Sequence, residues 1–279
     1  MRILLALEED IGEGDITTEN IALAGTLATA NIIAKTDGVL AGIDVAAEVF
    51  STLDPSVKFD ARARDAESLA AGRTIATLSG DAAVLLKGER TALNFLQRLS
   101  GIATLTRKYV EAIADTEAEI FDTRKTTPCW RTLEKYAVTC GGGRNHRMGL
   151  YDEVLIKENH IALSRKKGLG IKELIDKMRK NIGPGAFLEI EARSLEEVAK
   201  CLSSSPDCIL LDNMTAAQIH QAVLMGEKAN DAVLFEASGG VGLESVREIA
   251  TTGVRRISVG ALTHSAPVLD ITMLFQIKD

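Results

Sequence analysis

The chain has 279 residues, 46% hydrophobic and 25% charged, and its 39 acidic against 32 basic side chains leave a net charge of −7. That composition supports a sizeable core in one large domain or two moderate ones, and it argues against disorder. The acidic balance is not the footprint of a nucleic-acid protein. No run of about 18 apolar residues is present to span a membrane, and an N-terminus that turns acidic early is unlike a secretory leader, so a cytoplasmic protein is expected.

Up to about residue 80, short strand-like pieces at 29–35, 57–64 and 73–78 alternate with turn dipeptides such as Asp37-Gly38, Asp54-Pro55 and Ser79-Gly80. Residues 44–53 read as a helix between them. The expectation is a small α+β domain over 1–100, with 265–279 as a candidate return to it. A helical stretch follows from 81 to about 113. Val84, Leu85, Ala92, Leu96, Leu99, Leu105 and Ile113 form its buried stripe, and a break or kink is expected at Ser100-Gly101.

From about residue 118 the rhythm becomes strand, loop, helix. Strands are expected at 119–123, 154–157, 187–191, 208–212, 233–237 and 256–260, and helices at 172–181 and 243–251. Ser194 with Glu197 and Thr215 with Gln218 fit the capping box at two further helix starts. Repeated β–α units imply parallel strands with right-handed crossovers. Each strand runs into a polar or glycine position: Arg124-Lys125, Lys157, Glu191, Asp212, Ser238-Gly239-Gly240 and Gly260. In β/α barrels the active site is built from the loops at that end. The expected fold is an N-terminal α/β domain followed by an α/β barrel over 101–264, short of eight strands, with an anion site at its C-terminal face.

The stretch 124–160 carries the chemistry. Seven basic residues (Arg124, Lys125, Arg131, Lys135, Arg144, Arg147, Lys157) face four acidic ones there, against the sign of the chain as a whole. Gathered cations repel, by roughly 4 kcal/mol for a pair at 4 Å and an effective dielectric near 20, so a small polyanionic ligand is expected to neutralise them. Ser238-Gly239-Gly240-Val241-Gly242, between a strand and a helix, suits an oxyanion bound by backbone N–H groups, and Gly260 is placed for the same pocket. Glu191 and Asp212 offer the paired hard oxygens that suit Mg²⁺; ion pairs with Lys157 or Lys125 are the plainer alternative. His146 and His160 read equally well as structural histidines, and His220 and His264 carry nothing. The four cysteines form no CxxC pair and read as reduced thiols. Walker A and GxSxG motifs are absent. Cations, a metal pair and a phosphate cradle without a nucleophile point to group transfer by electrostatic stabilisation.

These segments resemble the quinolinate phosphoribosyltransferases. The resemblance runs from EDIGEGDITTEN (9–20) through GERTALNFLQRLSGIAT (88–104), the 124–160 block, LEIEARSLEE, ILLDN and EASGGV to VGALTHSAPVLD (259–270). It implies an N-terminal α/β sandwich domain and an open barrel, in a homodimer or higher assembly. It also implies transfer of phosphoribosyl from 5-phosphoribosyl 1-pyrophosphate to quinolinate, with loss of CO₂ and formation of nicotinate mononucleotide. Arg124, His146 and Arg147 match residues for the substrate carboxylates, and Arg90 matches an arginine donated across the subunit interface. Lys125 and Lys157 match lysines between the two substrates, and Glu191 and Asp212 match the acids around the ribose hydroxyls and Mg²⁺. Ser238, Gly239, Gly240 and Gly260 match the 5′-phosphate cradle. A molybdenum-transport-associated paralogue and a non-catalytic anion-binding barrel are the competing expectations. The family pattern Pro-Gly-Leu/Phe is here Pro128-Cys129-Trp130, which demands a different backbone angle or a tolerant turn, and Glu158 stands where aspartate is common.

Overall fold

A computed structural model of the protein describes residues 2–276 apart from 22, 24, 184, 205, 230 and 231. The chain begins with helices α1 (Arg2–Ile11) and α2 (Ile16–Ile21) and strands β1 (Leu27–Ala34) and β2 (Gly38–Val39). Next come α3 (Ile43–Leu53), β3 (Lys58–Ala61), β4 (Ser68–Leu69), β5 (Thr74–Asp81) and the long α4 (Ala82–Ala112). The second half alternates β6 (Glu119–Phe121), α5 (Arg131–Cys140), β7 (Val154–Ile156), α6 (Glu158–Arg165), α7 (Ile171–Asn181), β8 (Leu188–Ala192) and α8 (Leu195–Leu202). It closes with β9 (Cys208–Asp212), α9 (Ala216–Ala229), β10 (Leu234–Ser238), α10 (Leu243–Ala250), β11 (Arg256–Ser258), α11 (Ala261–His264) and β12 (Ile271–Gln276). No helix among the described residues is long and apolar enough to cross a membrane.

Two compact units result, one of 1–107, 133–142 and 265–279, the other of 108–132 and 143–264. The first contains an antiparallel four-stranded sheet in the order β12-β1-β5-β3. Alternation buries Ala30, Ile32 and Ala34 on one face of β1, the period-2 pattern of a half-buried strand. The expected boundary at residue 101 falls inside α4, and 133–142 joins the first unit. The expected break at Ser100-Gly101 is also absent, because α4 runs through it. A Cβ at Gly101 would sit 2.0 Å from the Pro267 carbonyl oxygen, so the glycine serves a close approach of the C-terminal segment. Ser100 Oγ accepts the Ala41 N–H at 3.0 Å.

Among the described residues the second unit holds six parallel strands in the order β6-β11-β10-β9-β8-β7. The edge strands β6 and β7 are not paired with each other, so the sheet is open and short of eight strands, as expected. Every residue of β8 is buried and only Asp212 of β9 is partly exposed, the near-continuous burial of a parallel sheet covered on both faces. The Thr215 and Gln218 box closes in both directions, whereas at Ser194 only the N-cap half forms and the Glu197 carboxylate takes the Arg193 N–H instead. Ser194 Oγ accepts Glu197 N–H at 3.2 Å, and Thr215 and Gln218 exchange bonds of 3.0 and 3.3 Å. Helices α1, α2, α5, α6 and α11 were not legible as separate elements. In α5, inside the basic block, Glu134 is fully buried and its carboxylate takes Arg98 Nη2 at 2.9 Å, so part of that block's charge is structural.

A candidate active site at the strand ends

Strand register builds the site. Asp212 stands opposite Ser238, Ser238 opposite Ser258 and Ser258 opposite Phe121, one row across four strands. One row deeper, Leu210 faces Glu236 and Glu236 faces Arg256. Because side chains alternate with period 2, these rows share one face of the sheet. Above them opens a cavity of about 680 Å³. Its lining brings together Arg124, Lys125, His146, Arg147, Lys157, Asp212, Ser238, Gly239, Gly240 and Gly260 from the residues singled out in the sequence. Glu191 lies outside that lining, in an adjoining hollow with Glu158, Arg193 and Ser194. Arg90 is exposed on α4 in the first unit and does not line the cavity.

The cationic side carries the marks of an anion site. Arg124 Nε is buried and has no hydrogen-bond partner. Arg147 is only 7% exposed, and burial and the nearby Arg124 charge both hold its pKa below the usual arginine value. Its Nη1 donates to the Glu153 carbonyl at 3.1 Å, which leaves the guanidinium most of its donors. Two guanidiniums repelling each other in a concave site are stabilised by a bound anion, and their forks suit carboxylate or phosphate. Arg131 has a different task. It donates to Thr126 Oγ1 and to the Met148 carbonyl, both at 3.0 Å, pinning the loop that carries Arg124 and Lys125. Thr263 Oγ1 holds the Lys125 carbonyl at 2.8 Å.

The cradle after β10 needs its glycines. Gly239 and Gly240 have φ of 96° and 61°, in the left-handed region that glycine enters without penalty. A Cβ at Gly239 would lie 2.3 Å from Asn213 Oδ1. Asn213 Nδ2 also donates to Asp212 Oδ2 at 2.9 Å, so one side chain abuts both the cradle and the acid. Below the cradle α10 begins, its N-terminal N–H groups adding partial positive charge.

Glu191 is 9% exposed. Burial and then Asp212 raise its carboxyl above the usual range, against the pull of Lys157. A crowded carboxylate pair near the lysines, with hard oxygens only, fits a divalent cation that keeps waters and shares substrate oxygens. The His146 Nε2, Glu189 and Glu236 group is tighter: its ligand atoms lie within 4.8 Å of one another, the one such three-residue group among the described residues. Geometry makes it a hydrogen-bonded cluster instead. Arg147 N–H points at His146 Nδ1 from 2.8 Å, a bond only an unprotonated Nδ1 accepts, which assigns the ring proton to Nε2. Nε2 then faces Glu189 Oε2 at 3.0 Å and Glu236 Oε1 at 3.5 Å. Burial lowers the His146 pKa, yet these two carboxylates outweigh it and push the value up to about 9. The Arg147 N–H opposes that second proton directly, so in this arrangement Nδ1 stays an acceptor and the ring proton sits on Nε2.

The sequence reading missed Asn213, His264, Glu189 and Glu236. His264 lines the cavity, and its Nε2 would lie 3.2 Å from a Cβ placed on Gly260. A usable clue was present for the acids. Glu189 and Glu236 each precede a singled-out residue, Glu191 and Ser238, by two positions in a strand, and period 2 puts each pair on one face.

Comparison with known proteins points one way. Residues 15–100 match the family model described as quinolinate phosphoribosyl transferase, N-terminal domain, and residues 102–274 match its C-terminal domain. A Bacillus subtilis protein named probable nicotinate-nucleotide pyrophosphorylase [carboxylating] is 45% identical over 266 residues, covering 95% of this chain and 89% of that protein. A Synechocystis protein of the same name is 42% identical over 267 residues, covering 96% and 89%. The crystal structure of NadC from Streptococcus pyogenes superposes with a TM-score of 0.93 at 37% identity, covering 100% of this chain and 96% of that one.

Proposed function

The chain belongs to the quinolinate phosphoribosyltransferase family, and from that premise we propose that it is a nicotinate-nucleotide pyrophosphorylase (carboxylating). It transfers phosphoribosyl from 5-phosphoribosyl 1-pyrophosphate to quinolinate, releasing pyrophosphate and CO₂ and leaving nicotinate mononucleotide for NAD synthesis. The observation that carries this reading is one cavity lined both by Arg124, with its buried, unpaired guanidinium nitrogen, and by a glycine cradle in which a Cβ on Gly239 would clash. The first suits a carboxylate, the second a phosphate.

Arg124 and Arg147 would hold the quinolinate carboxylates, and Ser238, Gly239, Gly240 and Gly260 the donor's 5′-phosphate. Lys125 and Lys157 would stand between the substrates, where pyrophosphate leaves C1′ as the pyridine nitrogen attacks. The alkylated ring nitrogen is cationic, so the electron pair left at C2 when the carboxylate departs sits beside positive charge; C2 then takes a proton. No protein nucleophile is required, only position and charge. Mg²⁺ would be held by Glu191 and Asp212 with water and substrate oxygens, and it supplies charge for the departing pyrophosphate. His146 would act on substrate through Arg147, since both of its ring nitrogens face protein groups.

A homodimer or larger assembly belongs to the same proposal, with Arg90 reaching the partner subunit's substrate. Its support is an exposed arginine inside the GERTALNF motif that the cavity does not use. A cytoplasmic setting suits four free cysteines. The reading is tested by incubating purified protein with quinolinate labelled in its 2-carboxylate, donor and Mg²⁺. Labelled CO₂ and nicotinate mononucleotide released in equal amounts support it, and product without CO₂ release overturns it.

A further inference from the structure

His146 and Arg147 lie in a segment without helix or strand, between Cys140 and Val154, that meets the sheet at one bridge, Arg144 to Phe121. Loops are the mobile part of a fold, yet an arginine fork that recognises a rigid dicarboxylate has to be fixed. Backbone pairing does not fix it. Side chains from three strands and the loop itself do. His146 N–H donates to Asp122 Oδ1 at 2.8 Å, just beyond β6. His146 Nδ1 takes the Arg147 N–H at 2.8 Å. Its Nε2 faces Glu189 of β8 and Glu236 of β10. Glu153 Oε2, from the end of the loop, stands 3.9 Å from Nδ1.

Glu189 is the residue this arrangement leaves over. It is 1% exposed, both of its carboxylate oxygens are buried, and Oε2 stands 3.0 Å from His146 Nε2, within reach of the ring proton assigned there. Glu236 differs, because its Oε2 takes Arg256 Nε at 2.7 Å. A buried acid with so little satisfaction is poor for stability, and apolar replacements of buried charges are often neutral or stabilising. Stability therefore does not explain Glu189.

We propose that Glu189 is a positioning residue for the cavity: it anchors His146 Nε2–H, so that His146 Nδ1 holds the Arg147 backbone and aims the Arg147 guanidinium at the substrate carboxylate. The proposal rests on the functional reading above for the identity of that carboxylate. The other groups around the ring are Asp122, Glu153 and Glu236, with Arg256 behind Glu236, Arg124 beside Arg147, and Cys208 opposite Glu189 in the strand register. None of them takes the place of Glu189 at its 3.0 Å contact.

The test compares Glu189→Met, which removes the acceptor, with Glu189→Gln, which keeps one acceptor oxygen. Quinolinate binding is measured by calorimetry, and the His146 tautomer is read from ring ¹⁵N shifts in histidine-labelled protein, assigned with His146→Gln. We expect Glu189→Met to be as thermally stable as the wild type, to bind quinolinate at least tenfold more weakly, and to lose the single Nε2–H tautomer. Its kcat at saturating substrate and its KM for the phosphoribosyl donor should stay within threefold, and Glu189→Gln should recover most of the affinity. A folded Glu189→Met protein with wild-type quinolinate affinity and an unchanged tautomer overturns the proposal. Should Glu189→Met fail to fold, Glu189→Asp, whose shorter side chain withdraws the acceptor, is read by the same criteria. Wild-type protein that does not bind quinolinate would sink the functional reading, and the tautomer comparison would still decide the role of Glu189.

Discussion

Asn213 Nδ2 bonds Asp212 Oδ2 at 2.9 Å while Asn213 Oδ1 fills the space that a Cβ on Gly239 would need. One side chain thus ties the acid proposed for the ribose and metal to the cradle proposed for the 5′-phosphate. Its own backbone is left-handed, with φ of 55°, a conformation that asparagine tolerates better than other chiral residues.

Asn213→Ala therefore breaks a donor-site tie and leaves alanine in a strained conformation. The expected outcome is a KM for the phosphoribosyl donor raised roughly 5- to 10-fold, about the worth of one partly exposed hydrogen bond. Quinolinate affinity measured alone should not move. Asn213→Gly relieves the strain without restoring the bond, so it should repair stability and not KM.

Cys129 occupies the family's glycine position at φ of 65°. A non-glycine residue in that region costs roughly 1–2 kcal/mol, and returning glycine gives back roughly 0.5–1 kcal/mol in unfolded-state entropy. Cys129→Gly is expected to raise Tm by about 1–3 °C, with Cys129→Ala showing no such gain. Calorimetric melting of the three proteins decides it.

Asp212→Asn should raise the Mg²⁺ concentration needed for half-maximal rate and weaken donor use, while quinolinate binding without donor stays at the wild-type level. Titrating the rate against free Mg²⁺ reads this directly. Full turnover of the wild type in excess chelator would assign the Glu191 and Asp212 pair a structural role.

If Arg90 serves the partner's site, two inactive proteins complement each other. Mixing Arg90→Ala with Lys125→Ala under conditions of verified subunit exchange should restore activity towards a quarter of the wild-type level, because a mixed dimer carries one intact site. No recovery would place Arg90 in its own subunit's chemistry or outside it.

The strand half of the site was legible because parallel strands leave their functional residues at one end, where Lys157, Asp212, Ser238 and Gly260 all appeared. Strand boundaries held to within a few residues for the same reason: apolar runs such as 208–212 stop where polarity begins. The cluster beneath the cavity was hidden because Glu189 and Glu236 make sense only once β8 and β10 are brought together by register across β9. The Ser100-Gly101 break misled because a helical glycine can mark a close neighbour as readily as a kink, and that neighbour, Pro267, is distant in sequence. Helix α5 hid inside a charge count that took Lys135, 1% exposed, for a ligand-facing cation.

The most direct test of the central claim is the ratio of kcat/KM for quinolinate over nicotinate, measured on one preparation with saturating donor and Mg²⁺. Nicotinate lacks the second carboxylate and leaves a buried guanidinium unpaired, a penalty of about 2–5 kcal/mol. The expected preference for quinolinate is roughly 30-fold to several thousand-fold, and Arg147→Lys, which replaces a fork by a point charge, should erase most of it. Equal efficiency with the two substrates in the wild type would contradict the assignment of Arg124 and Arg147 to a dicarboxylate.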